Sequence, residues 1–541
     1  MLGAEAVVKA LSQEGVEYVF GYPGVAICPF YEAITHSDIK TVLVRTEQSA
    51  AHMASGLARV SGKVGVCAVT SGPGATNLIT GIATAFADSI PLVCITGQVN
   101  SALLGSDVFQ EADITGAAES FVKYSYLVKD PQDIPRVIKE AFHIASTGRK
   151  GPVLIDIPID VQNAEIRKFK YPDEVSMRTY KPTFVGNYAQ IKKTVKALSK
   201  AERPVICVGG GVLLSNAKDS LRTFVEKYNI PVVSTMMGIG AMPTEHPLYF
   251  GMVGNNGKPW ANKAMNESDL LIMVGARVAD RAVNQPDIIT ENKVMVHIDV
   301  DPAEIGKNCG PTIPIVGDAD NIFNQLNSFE EEIEIDTKDW LKTLQGFKKD
   351  LFVKRKVNPE FVDPECFIKT LSDMLDKEAI YVADVGQNQI WSCSFHVVKE
   401  GKFLTTGGMG TMGYSIPAAL GAKLACPDKQ VVAVCGDGAF QMSMMELATI
   451  KQEDVPVKII VLKNGFLGMV REYQHYTYKD NYSVVKLNDY PDLKKISEAY
   501  SMDYIKVSVD AEIKDGVSKM LSSSNSCIME VTVDPMDLAK G

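Results

Sequence analysis

No Cys-x-x-Cys pair occurs among the ten cysteines of this 541-residue chain, which argues against zinc ligation. Cys67, Cys94, Cys207 and Cys435 stand inside apolar, strand-like runs and read as small buried hydrophobes in a reducing compartment. No run reaches the ~18 apolar residues of a membrane span. The chain opens directly into an amphipathic segment at residues 4–12, without a charged leader and apolar core; a cytoplasmic protein is the expectation. Positive charge is not in excess either. Lys and Arg number 55 against 65 Asp and Glu, leaving a formal charge of -10 with a pI near 5.4, the reverse of the basic patch a nucleic-acid binder shows. Low-complexity tracts and short repeats are absent. What is present is 46% hydrophobic and 22% charged sequence, ordinary for a globular protein, at a length that exceeds one core and predicts two to four domains.

Residues 1–165 alternate strand-like runs at 18–20, 41–44, 64–69, 92–95 and 153–157 with helical patterns, the rhythm of a doubly wound α/β domain. A polar passage at 168–182 reads as a linker. A second α/β segment, 185–335, carries apolar runs at 204–208, 270–274 and 294–298 and closes on the acidic run 330–336. The third domain occupies 355–541. The first and third share a strand, glycine turn, helix rhythm, so two similar domains flank a different one.

The third domain holds the most informative motif. A strand at 430–435 ends in Gly436-Asp437-Gly438, a helix crosses 442–450, and a second strand at 457–462 ends in Lys463-Asn464-Gly465-Phe466. That is a parallel βαβ unit, and ligands of such sheets collect beyond the carboxyl ends of the strands. Asp437, Asn464 and a backbone carbonyl at Phe466 would give hard oxygens to a Mg²⁺ ion held against a diphosphate, while Gly436 and Gly438 let the backbone approach. An isolated Gly-Asp-Gly is most often a turn; the Asn at the next strand end adds the weight. Far upstream, Glu47 follows the 41–44 run where a helix begins, a place that usually holds an acid favoured by the helix dipole.

Taken together, these motifs resemble the thiamine-diphosphate-dependent enzymes. Gly21-Tyr22-Pro23-Gly24, the 70–78 and 95–99 phrases, Phe109-Gln110-Glu111 and the 465–471 phrase resemble acetohydroxyacid synthase (acetolactate synthase) catalytic subunits, over essentially the whole chain. The resemblance implies three doubly wound α/β domains with mostly parallel sheets: pyrimidine-binding, flavin-type and diphosphate-binding. It implies that Glu47, as a buried carboxylate, hydrogen-bonds the aminopyrimidine ring of thiamine diphosphate and promotes the tautomer that removes the thiazolium C2 proton. By the same match, Gln387 and Asn388 meet the diphosphate, the Gly410 carbonyl accepts from the 4'-amino group, and Met412 wedges between the rings. Arg281 would clamp the carboxylate of the acceptor 2-keto acid, with Gln110, Phe109, Val25 and Tyr473 lining the substrate pocket. FAD would lie in the central domain against Arg178, Gly209, Gly210, Gly211, Thr235, Gly251, Met252, Arg277, Asp280, Asp299 and Asp318. Each site would be built by two chains of a homodimer or dimer of dimers, with a regulatory subunit as a possible partner.

Bland readings stand beside these. Met412 fits ordinary core packing, the glycine triplet fits a tight turn, and Arg281 fits an ion pair with Asp280. The sequence also departs from the family: Val278 and Ala279 replace the Phe and Asp of its Arg-Phe-Asp-Asp-Arg signature, Asn256 and Asn388 each replace a His, Val25 a Gly, Asn100 a Pro and Ile159 a Lys. Tyr473 replaces a Trp that favours 2-ketobutyrate, which makes acetolactate from two pyruvates the expected product. None of the seven histidines is paired with another, as a simple decarboxylase would use; His475 is the nearest candidate donor. A related thiamine lyase, acetyltransferase or hydrolase with another donor, and a non-catalytic flavin-binding relative, are the alternatives.

Overall fold

In a computed structural model, residues 1–283, 288–331, 333–488 and 490–539 are described. Three six-stranded sheets account for the strands, and every pairing in them is parallel. The expected fold class is borne out. The first sheet comprises β1 (Tyr18–Tyr22), β2 (Lys40–Leu43), β3 (Gly65–Val69), β4 (Leu92–Gln98), β5 (Tyr124–Leu127) and β6 (Pro152–Pro158), ordered β2-β1-β3-β4-β6-β5. The second comprises β7 (Pro204–Val208), β8 (Val232–Ser234), β9 (Tyr249–Met252), β10 (Leu270–Val274), β11 (Val294–Asp299) and β12 (Ile313–Val316), ordered β12-β11-β10-β7-β8-β9. The third comprises β13 (Ile380–Ala383), β14 (Lys402–Leu404), β15 (Val431–Gly436), β16 (Lys458–Lys463), β17 (Asp503–Val507) and β18 (Cys527–Thr532), ordered β14-β13-β15-β16-β18-β17.

Counted within each sheet, the first and third have the same order, 2-1-3-4-6-5, and the central one does not. The shared rhythm read from the sequence is thus a shared topology. Strand order reverses between β1 and β3, between β7 and β10, and between β13 and β15, the places where open α/β sheets leave a crevice. Short apolar strands buried on both faces, such as β3, β4 and β7, are what helices covering both sides of a parallel sheet produce.

The first and third sheets are joined by the helices Glu47–Ser61 and Ser415–Ala425. Both are rich in Ala and Gly, and one hydrophobic core runs through them from Phe20 and Val69 to Ala433 and Val461. The contact is backbone to backbone: a Cβ added to Gly56 would stand 2.0 Å from the Ala418 carbonyl oxygen, and one on Gly421 1.9 Å from that of Met53. The central sheet instead has its own two cores, one on each face.

One expected element is broken. The helix expected over 442–450 is two helices, Asp437–Ser443 and Leu447–Gln452, with a 3-10 turn at Met444–Glu446 between them. The cause is the fully buried Glu446, whose carboxylate accepts from Arg45 N at 2.9 Å, Thr46 N at 3.1 Å and the Thr449 hydroxyl at 2.7 Å. That carboxylate ties the third domain to the strand end that carries Glu47.

Candidate active site

The Gly436-Asp437-Gly438 turn closes β15 at the switch point of the third sheet, and Gly386-Gln387-Asn388 follows β13 across the same crevice. Asp437 is 4% exposed. Its Oδ2 accepts from Gly465 N at 2.7 Å and its Oδ1 from Gly438 N at 3.1 Å. Burial pushes its carboxyl up to about 6, against the pull of those N–H groups and of Lys463. Asn464 Nδ2 donates to Gln387 Oε1 at 3.1 Å, and Asn464 Oδ1 accepts from Phe466 N at 3.0 Å. Asn388 is held by donation to the Asp384 and Val434 carbonyls at 2.9 and 3.1 Å. A Cβ on Gly436 would meet nothing nearer than Asn388 Oδ1 at 3.8 Å, whereas one on Gly438 would stand 2.8 Å from Leu467 Cδ2, so only the Gly436 side of the turn has room. Among the described residues no group of three His, Cys, Asp or Glu converges as a metal site; a cation here draws on one carboxylate, an amide and backbone oxygens, the donor set of Mg²⁺ rather than of a transition metal. A buried carboxylate with no ion-pair partner among the described residues, beside the roomy Gly436, fits such an ion.

In the first sheet, Glu47 follows β2, the neighbour of the crevice strand β1, and begins its helix behind the N-cap Thr46. It was expected to be buried; in the single chain it is half-exposed, because one side of its crevice is open. Asn77 Nδ2 donates to Glu47 Oε2 at 3.0 Å. The Gly72-Pro73-Gly74 turn after β3 ties Glu47 to Gln110: a Cβ on Gly74 would meet Glu47 Oε1 at 3.4 Å, and one on Gly72 would meet Gln110 Cα at 3.0 Å. Gln110 holds a left-handed backbone, φ +60°, an uncommon state for a non-glycine residue. Val25 and Phe109, 74% and 88% exposed, lie open to solvent in the single chain, as does Tyr473. Met412 is half-buried against the core shared by the first and third domains, with its Cε 3.4 Å from where a Gly438 Cβ would stand; the structure joins its packing role to the Asp437 turn. His475 is tied to Asp480.

The central crevice is a cavity of about 650 Å³. Gly210, Gly211, Thr235, Met252, Arg277, Asp280, Asp299 and Asp318 line it, and Arg281 and Gly410 reach it too. Arg178, Gly209 and Gly251 are outside the lining, and Arg178 is exposed. Gly209 and Gly211 press against the Gly275 turn, where a Cβ on Gly211 would stand 2.6 Å from Gly275 Cα; strand-end backbones approach so closely only without side chains. Burial raises the Asp299 carboxyl to about 6 and raises that of Asp318. Arg281 contacts Asp280 only loosely, at 3.8 Å with both side chains exposed, a pair of little structural worth. A long cavity with acids at strand ends and a glycine-lined turn fits a dinucleotide.

The lining also contains Arg149 and Lys150, which the sequence reading missed. They come from the first domain: Arg149 pairs with Asp301 and Glu304 at 3.2 and 2.8 Å, and Lys150 donates to the Leu214 carbonyl at 2.7 Å. Two adjacent cations opening β6 were the available signal.

The N-terminal and C-terminal TPP binding domains of thiamine pyrophosphate enzymes match residues 1–117 and 384–531, and the central domain of those enzymes matches 191–326. The chain is 44% identical to a probable acetolactate synthase large subunit of Methanocaldococcus jannaschii, over 99% of this chain and 93% of that one. It is 42% identical to the acetolactate synthase large subunit of Haemophilus influenzae (98% and 94%). The chain belongs to the acetolactate synthase large-subunit family. A third relative, acetolactate synthase isozyme 3 large subunit of Escherichia coli, is 41% identical over 98% of this chain and 95% of its own. Membership of this family of thiamine pyrophosphate enzymes agrees with the resemblance read from the motifs, and the thiamine-binding matches cover both crevices that carry Glu47 and Asp437.

Proposed function

We propose that this chain is the catalytic subunit of an acetolactate synthase, which decarboxylates pyruvate and joins the two-carbon fragment to a second 2-keto acid, giving 2-acetolactate. The observation that carries this reading is the placement of Glu47, at the helix start after β2, and of Asp437, at the end of β15, in two sheets of one topology joined by a shared core, in a chain this similar to acetolactate synthases.

Thiamine diphosphate, when bound, supplies the C2 nucleophile and the electron sink for decarboxylation. Asp437, Asn464 and the Phe466 carbonyl would hold Mg²⁺, and Gln387 and Asn388 would meet the diphosphate. Glu47, held by Asn77, would be the carboxylate that hydrogen-bonds the aminopyrimidine and serves its tautomerisation. Among the described residues Arg281 has only the loose contact with Asp280 at 3.8 Å, which favours its role as a bidentate clamp on a carboxylate. The lack of a paired histidine donor near the crevice protects the reacting fragment from protonation. With Tyr473 at the pocket, pyruvate serves as both donor and acceptor.

The exposure of Val25, Phe109 and Tyr473 supports a homodimer, or a dimer of dimers, in which a second copy covers the site. FAD in the central cavity is supported by its size and lining. A regulatory subunit is proposed because the relatives are named large subunits. No helix among the described residues is long and apolar enough to cross a membrane, and a cytoplasmic enzyme is proposed. Incubation with pyruvate, thiamine diphosphate and Mg²⁺ tests the reading: acetolactate is the expected main product, and acetaldehyde as the main product overturns it. A visible spectrum of the purified protein tests the flavin separately.

A further inference from the structure

Residues 405–413 join β14 to the Ser415–Ala425 helix and carry Gly410 and Met412. A carboxylate fixes each end of this strap. At one end Asp384, fully buried, accepts from Gly413 N at 2.9 Å and Ser415 N at 2.7 Å. At the other end the carboxylate belongs to a different domain. Asp88, the last residue of the Pro73–Asp88 helix, accepts from Gly408 N at 2.8 Å and Gly407 N at 3.2 Å. A Cβ on Gly408 would stand 2.6 Å from Ala87 Cβ, and one on Gly407 2.7 Å from the Met237 sulfur; the strap therefore lies against both the first and the central domain. Thr84, one turn earlier in the same helix, has its hydroxyl 2.7 Å from that of Thr411, and Arg59 donates to the Thr405 carbonyl at 2.6 Å.

Asp88 is placed badly for anything but this strap. A carboxylate at a helix C-terminus faces the negative end of the dipole, and Asp88 is also buried. Two backbone N–H donors and the nearby Arg59 and Arg277 offset that cost only in part, and burial still raises the Asp88 carboxyl. Asp88 also lines the central cavity, so one side chain touches the wall of that cavity and the strap of the thiamine crevice.

We infer that Asp88 is a positioning residue: it holds Gly407 and Gly408 so that Gly410 and Met412 stand where the two rings of thiamine diphosphate would bend around them. The inference rests on the thiamine reading of the third-domain crevice. Without the acceptor, two N–H groups lose their partner, the strap relaxes away from Ala87, and the bent cofactor loses its support.

The test uses the full chain and the circular dichroism band that bound thiamine diphosphate gives from its aminopyrimidine tautomers, titrated with the cofactor at saturating Mg²⁺. Wild type is expected to develop the band. Asp88→Asn keeps an oxygen acceptor and is expected to retain the band with affinity within about threefold, whereas Asp88→Ala loses the band or binds at least about tenfold more weakly. Gly408→Ala, which pushes the strap off Ala87 with Asp88 intact, is expected to behave like Asp88→Ala and carries the test if that variant does not fold. Wild-type band and affinity in Asp88→Ala, or in Gly408→Ala where Asp88→Ala does not fold, would overturn the inference and leave the thiamine reading standing. A wild type that gives no band overturns both.

Discussion

Gly56→Ala is expected to destabilise the protein far more than adding one methyl group to a helix normally does. On propensity alone alanine is better than glycine in a helix interior by about 1 kcal/mol. Here the added Cβ would stand 2.0 Å from the Ala418 carbonyl oxygen, and ordinary contact begins at 3.4 Å, so the two helices must separate by about 1.4 Å, the difference of those values, or the backbone must bend. A gap of 0.5–1 Å already forfeits a quarter to a half of each dispersion contact along the seam, and that seam includes Ala50, Met53, Leu57, Ala419 and Ala422. Overpacking of this kind costs about 1–3 kcal/mol; the upper end applies because the obstructing atom is backbone and cannot rotate away. With about 2–4 °C lost per kcal/mol in a unit of 150–250 residues, the unfolding midpoint should fall by about 6–12 °C in a thermal melt. Gly421→Ala should behave alike, since its Cβ would meet the Met53 carbonyl oxygen at 1.9 Å. Because one separation relieves both clashes, the double variant should lose clearly less than the sum of the two. A Gly56→Ala melt within error of wild type, or strict additivity in the double variant, would refute the seam as described.

Glu47→Gln should leave the melt unchanged and lower acetolactate turnover by about 10²–10⁴-fold, the range for loss of general acid–base catalysis; unaltered turnover would remove Glu47 from its role. Cofactor binding should depend on pH through Asp437. Its carboxyl, raised to about 6 by burial, is harder to ionise in the fold than in the unfolded chain, so apo-protein stability falls as pH rises from about 4 to 6. A bound cation requires the ionised form, so Mg²⁺-dependent binding should weaken about tenfold per pH unit below about pH 6; a flat calorimetric profile would contradict this. Arg281→Lys should raise the KM for pyruvate with no change in the melt, because the exposed contact with Asp280 at 3.8 Å contributes little to stability. A lowered melting point with unchanged KM would make Arg281 structural.

The parts legible in sequence were those set by local pattern. Apolar runs bounded by polar or turn-forming residues located β3, β7, β10, β11 and β15 to within a residue or two, and strand-end chemistry singled out Asp437 and Asn464. What escaped depends on distant partners. Glu446 looks like one more helix residue, yet Arg45 and Thr46, some 400 positions earlier, bind its carboxylate and break the helix. Arg149 and Lys150 belong by sequence to the first domain, and only the packing of two domains brings them to the central cavity. The depth of Glu47 was misread for a related reason: burial depends on what packs over a side chain, and in this chain Glu47 is half-exposed. The seam at Gly56 and Gly421 is equally silent, because a glycine in a helix carries no sign of what it faces.

The core shared between the outer domains bears on how the chain is made. The Glu47–Ser61 helix leaves the ribosome some 350 residues before the Ser415–Ala425 helix that covers it. The central domain has cores of its own and can close during that interval, whereas the first domain waits with a stripe of alanines and glycines bare to solvent. Contacts of such sequence separation form slowly, and nascent chains with uncovered apolar faces are prone to aggregate. Synthesis therefore passes through a long window in which this one helix is the vulnerable surface, and it ends only when the last domain arrives.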